Sequence, residues 1–139
     1  TFKREVVMIT LVYAGLLTLM GLYLAYRTAT KRGSTNILIG QGEDLEMLKT
    51  IRVHGNFTEY TPFFLILLGA LEFSEQVPML VLYILGDTYI LARIAHAYGI
   101  TKSHETTPWR FYGTLFTWLV LAVQSVWAIW IYGNWAMGS

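Results

Sequence analysis

Cysteine is absent from this sequence, which excludes a disulfide framework, thiolate metal sites, iron–sulfur clusters and a cysteine nucleophile. Charge is scarce too. Only 14% of the 139 residues are charged, where a soluble domain needs about 25% to solvate its surface. The net charge of +1 leaves no basic footprint for nucleic acid. Three histidines without an HExxH pattern or paired carboxylates give no metal site.

Apolar residues fill the space, at 55% with a mean hydropathy of +0.47. Val6 to Ala25 is an uncharged stretch of about 20 residues, enough to cross a ~30 Å hydrocarbon core. Phe111 to Ile131 is a second, interrupted only by Gln124. Between them, Phe57–Phe73 carries Glu59 and Val77–Ala92 carries Asp87. Flanked by two clear spans, these read as spans two and three. The expectation is a single all-α transmembrane domain over residues 1–139, a four-helix bundle with helices at about 5–30, 45–73, 77–99 and 108–134. Aromatic residues suit the two lipid–water boundaries. Thr107-Pro108 is a natural opening for the fourth helix, with Thr as cap and Pro at the first helical position. Lys31 to Asp44 reads as a polar loop. The N-terminal apolar run is longer than a signal sequence's core and is read as a retained helix.

Basic residues set the expected orientation. Arg27, Lys31, Arg32, Lys49, Arg52, Arg93, Lys102 and Arg110 flank loops one–two and three–four, against Lys3 and Arg4 on the other side. The positive-inside rule puts both loops in the cytoplasm and both termini outside.

Ionisable groups inside spans are costly and point to function. Arg52, Asn56 and Glu59 fall on one helical face at i, i+4 and i+7. Two readings stay open: a structural ion pair bridged by Asn56, or a ligand site. Pro62, one turn past Thr58, should kink the helix. Arg93 and His96 share a face of the third helix, which continues to Tyr98. His96 reads as an interfacial anchor or a site residue. Asp87 is expected to be neutral or hydrogen-bonded between helices, outside any site. Arg110 stands in the first turn of the fourth helix, where the macrodipole disfavours a cation. It reads as a snorkelling residue or as half of an anion site built with exposed N–H groups, one that would lower the pKa of a bound thiol.

These residues resemble the MAPEG family, membrane-associated proteins in eicosanoid and glutathione metabolism. Arg52-Val53-His54-Gly55-Asn56-Phe57-Thr58-Glu59-Tyr60-Thr61-Pro62 is similar to the family's helix-two signature. Ala92-Arg93-Ile94-Ala95-His96 resembles the end of its helix three, and Pro108-Trp109-Arg110 the start of helix four. The combination is most similar to small bacterial members, which places the chain in a bacterial inner membrane. The resemblance implies a homotrimer in membrane lipid, with glutathione bound between subunits at the cytoplasmic end as co-substrate. It implies that Arg27, Arg52, Asn56, Glu59, Tyr60 and His96 contact the tripeptide, Glu59 taking the α-amine, and that Arg110 stabilises the thiolate. Arg93, Tyr98 and Tyr112 are further candidates. The implied activity is a transferase or peroxidase acting on lipophilic electrophiles or lipid hydroperoxides. A non-catalytic lipid-binding or scaffold protein of the same fold is the alternative. Leukotriene-forming members place a second arginine where this chain has Thr28, and several mammalian members a tyrosine where it has Ile100. Eicosanoid-forming activities are therefore not expected.

Overall fold

A computed structural model describes residues 9–138. Four helices follow one another: α1 (Ile9–Thr35), α2 (Leu45–Phe73), α3 (Met79–Lys102) and α4 (Pro108–Gly138). The expected start of α1, with Lys3 and Arg4, lies outside the described residues. At 1.5 Å per residue α1 is about 40 Å long and α4 longer still, both exceeding a ~30 Å hydrocarbon core. α1, α3 and α4 are long and apolar enough to cross a membrane. α2 matches them in length but carries Arg52 and Glu59.

The expected polar loop begins later than its composition indicates. Lys31–Thr35 continues α1, with the hydroxyls of Ser34 and Thr35 both donating to the Lys31 carbonyl. Asn36, at φ 56°, ends the helix in a left-handed turn. Asp44 then caps α2 by accepting from the Met47 N–H at 2.9 Å. At the other end, Thr107 accepts from the Arg110 N–H at 3.2 Å, with Pro108 as the first residue of α4.

α2 supplies the central ridge of the core. Val53, Phe57, Thr61, Phe64, Leu68 and Leu71 recur at three- and four-residue steps and are all buried. Phe64 stacks on Tyr89 of α3 at 3.9 Å, and the Tyr89 hydroxyl meets Thr61 Oγ1 at 3.1 Å. α1 packs on α2 and α3 on α4, while α1 and α4 do not touch. The outward face is apolar: Leu19, Ile66, Leu91 and Ile129 are each 66–71% exposed. So much exposed large aliphatic surface fits lipid, not water.

Two glycines bring α3 and α4 into close contact. A Cβ on Gly113 would lie 2.6 Å from the His96 nitrogen and 2.7 Å from the Ala92 oxygen. A Cβ on Gly99 would lie 2.5 Å from the Arg110 nitrogen. This backbone-to-backbone approach seats Arg110 beside the end of α3. Asp87 stays apart, accepting from the Tyr13 hydroxyl at 2.7 Å across α1 and α3.

Candidate functional site

On α2, Arg52 Nη1 lies 3.7 Å from Glu59 Oε1, with both side chains roughly half exposed. The pair closes directly and Asn56 does not bridge it. Asn56 turns to α3, where the Arg93 Nη1 donates to its side-chain oxygen and, at 3.5 Å, to its backbone carbonyl. The shared face of α2 therefore has two functions, an exposed ion pair and an amide anchored to the next helix.

Arg93 is 2% exposed, yet its Nε and Nη2 are buried without hydrogen-bond partners. Its guanidinium lies over the rings of Tyr60 at 5.5 Å and Tyr89 at 6.0 Å. The aromatic faces supply partial compensation for a desolvated cation. Tyr60 is fixed from its other end, accepting from the Trp118 indole N–H at 3.0 Å. His96, one turn past Arg93, is buried where α3 crosses Gly113. Arg93 lies one turn before His96 on α3, and the start of α4 with Arg110 packs on that helix at Gly99; among the described residues only Glu59 forms an ion pair with any of Arg52, Arg93 and Arg110.

Asn56 and Tyr60 thus meet Arg93 of α3, with the Arg52–Glu59 pair on the same helix, while His96 and Arg110 lie where α3 meets α4. Arg27 does not join them. Its guanidinium sits 6.0 Å from the Tyr23 ring, in a groove between α1 and α3 that also touches Tyr98. It makes no hydrogen bond or ion pair with the α2 set within one protomer. Tyr98 packs edge-on against Trp109 at 5.7 Å. Tyr98 and Tyr112 both line a groove of about 760 Å³ between α3 and α4, floored by Gly113 and Ala92. They belong to an apolar surface, away from the Arg52–Glu59 pair.

Sequence reasoning left Arg93 as a secondary candidate and missed Trp118 altogether. Trp118 stands 58 positions from its partner Tyr60, and one tryptophan among five on an apolar helix carries no local mark. Arg93 did have a signal, a cation deep in an apolar helix.

The family model described as the MAPEG family matches residues 10–130. Two curated relatives are the "Inner membrane protein YecN" of Escherichia coli strain K12 and of Escherichia coli O6:H1. Each is 28% identical over 123 residues, covering 88% of this chain and 92% of the relative. With a match that spans most of its length and all four helices, this integral membrane chain belongs to the MAPEG family.

Proposed function

We propose that this protein is a membrane-embedded, glutathione-dependent transferase or peroxidase of lipophilic electrophiles or lipid hydroperoxides, working as a homotrimer in a bacterial inner membrane. The observation that carries the reading is the contact of buried Arg93 with Asn56 and Tyr60, on the same helix as the exposed Arg52–Glu59 pair. Glutathione has complementary chemistry: two carboxylates, one ammonium and one thiol. Arg52 and the Asn56 amide receive carboxylate or carbonyl oxygens. Glu59 exchanges part of its contact with Arg52 for the ammonium. Arg110, beside the N-terminus of α4, stabilises the thiolate left when the thiol proton departs. In conjugation the thiolate sulfur forms the new bond to carbon, and the leaving group departs with its electron pair or, in an addition, the adjacent atom takes a proton.

In this reading Arg27 acts from the neighbouring subunit, because its own protomer keeps it in the α1–α3 groove. The site then lies between subunits at the cytoplasmic end.

A non-catalytic lipid-binding role is the second reading. It is favoured by the apolar groove between α3 and α4, whose roughly 760 Å³ suits an acyl chain.

Calorimetry of glutathione with the detergent-solubilised protein separates the two. Binding that Glu59→Ala weakens by about 1.5–3 kcal/mol, the worth of a hydrogen bond to a charged group, is the expected result. No binding at millimolar glutathione would sink the enzyme reading and leave the lipid-binding one.

A further inference from the structure

Two side chains of the cluster, Asn56 and Tyr60, are chemically ambivalent. A carboxamide can offer oxygen or N–H, and a phenol can give or take a proton in a hydrogen bond. Each is held from behind by a residue that has no choice. Arginine has five N–H donors and no acceptor, and the tryptophan indole has one donor and no acceptor.

Arg93 donates to the Asn56 side-chain oxygen. The amide oxygen must therefore face α3, whichever way its atoms are assigned, and the –NH2 is left for whatever lies outside. Among the described residues that –NH2 has no partner. Arg93 cannot easily let go: it is 2% exposed, sandwiched by Tyr60 and Tyr89, and already leaves Nε and Nη2 unpartnered. A further lost hydrogen bond would add to a desolvation cost that is not compensated. On the other side, Trp118 donates to the Tyr60 oxygen at 3.0 Å. One lone pair of that oxygen is taken, and among the described residues the phenolic proton has no acceptor.

We propose that Arg93 and Trp118 are positioning residues that set the hydrogen-bond polarity of the site, turning Asn56 and Tyr60 into donors. Resting on the glutathione reading, this makes the α2 face a donor row, Arg52, Asn56 and Tyr60, broken by one acceptor, Glu59. Such a row selects ligands with carbonyl or carboxylate oxygens opposite Asn56 and Tyr60. It rejects ligands that present N–H or ammonium there, because two donors would face each other.

A thermal-unfolding cycle tests the fixed orientation without ligand. Asn56→Asp keeps an acceptor toward Arg93 and adds the opposite charge, so it should unfold at or above the wild-type temperature. In an Arg93→Gln background the same substitution should lower that temperature, and Arg93→Met replaces Arg93→Gln if the latter does not fold. Equal effects in both backgrounds would overturn the Arg93 link. Binding tests the polarity. Asn56→Asp should bind glutathione about tenfold or more weakly, since a carboxylate now opposes the ligand's oxygen. The same variant should lose less affinity for a glutathione carboxamide analogue, which can donate to Asp. Trp118→Phe, at an exposed position, should weaken glutathione binding about two- to fivefold. If both variants bind glutathione like wild type, the polarity assignment is wrong. If wild type binds no glutathione but the stability cycle shows coupling, the ligand reading fails and the fixed polarity stands.

Discussion

The Tyr13 ring lies directly on the α3 backbone at Gly86, where a Cβ would come within 2.2 Å of two of its ring carbons. With that glycine the ring is buried and its hydroxyl reaches both Asp87 Oδ1 at 2.7 Å and the Tyr83 carbonyl at 3.0 Å. One missing methyl therefore positions the bond that satisfies a carboxyl in the middle of a span.

Gly86→Ala should destabilise the protein by about 1–3 kcal/mol, the usual cost of overpacking, because the obstructing atoms belong to a ring with nowhere to move. Gly15→Ala has nothing within 4 Å of its new carbon and should leave stability unchanged or slightly higher. Thermal unfolding of both variants in one detergent checks this. An unaffected Gly86→Ala would mean that α1 is not seated on α3 in this way.

Arg110→Ala should abolish the near-ultraviolet thiolate absorbance of bound glutathione and most turnover with a model electrophile. Binding itself should weaken less than with Glu59→Ala. A free thiol titrates near ~8.5, and each unit by which the site lowers it represents about 1.4 kcal/mol of thiolate stabilisation. Arg110→Lys keeps the charge without the planar fork and should fall between wild type and alanine. Wild-type turnover in Arg110→Ala would assign the sulfur to another arginine.

Arg27→Ala and Glu59→Ala, each expected to weaken glutathione binding alone, should recover part of it when co-expressed. In the proposed homotrimer, mixed assemblies would contain some interfaces where an intact Arg27 faces an intact Glu59. Recovery is read as glutathione binding per subunit in tagged, co-purified mixtures. No recovery in confirmed mixed oligomers would place Arg27 in the same protomer's site or in none.

Asp44 should give the stability curve part of its acid limb. The Met47 N–H, chiefly, and the Lys31 ammonium at 3.4 Å hold its carboxyl below the ordinary range. A depressed folded-state value means that stability is fully present above the unfolded value, near ~3.9, and is lost as pH falls through the folded one. Asp44→Asn keeps an acceptor for the cap but does not titrate, so its melting temperature should fall less on acidification. Parallel curves for both proteins would remove Asp44 from the acid transition.

Features fixed by local spacing were legible in the sequence. Apolar runs of bilayer length marked the helices, and Thr107-Pro108 marked the start of α4. Arg52, Asn56 and Glu59 share a face because helical periodicity alone places them there. What could not be read was pairing across helices. Asn56 looked like a bridge between its neighbours on α2, but its partner is Arg93, 37 positions away. The overrun of α1 through Lys31–Thr35 was hidden by residues typical of loops. Their hydroxyls bond back to carbonyls of the helix itself, so polarity there did not mean a break.

The arginine cluster also bears on how fast a ligand arrives. Arg52, Arg93 and Arg110 outnumber the one carboxylate paired among them, and an excess of one sign of charge between low-dielectric helices focuses a field. On the proposed reading, anionic glutathione would be drawn in faster than diffusion alone delivers it, over a reach of about 8 Å at physiological ionic strength. Its association rate falls as salt is added, while the dissociation rate changes little. A neutral lipophile entering sideways through the apolar groove would have no such dependence. If both bind as proposed, their capture would be separable in time by varying ionic strength.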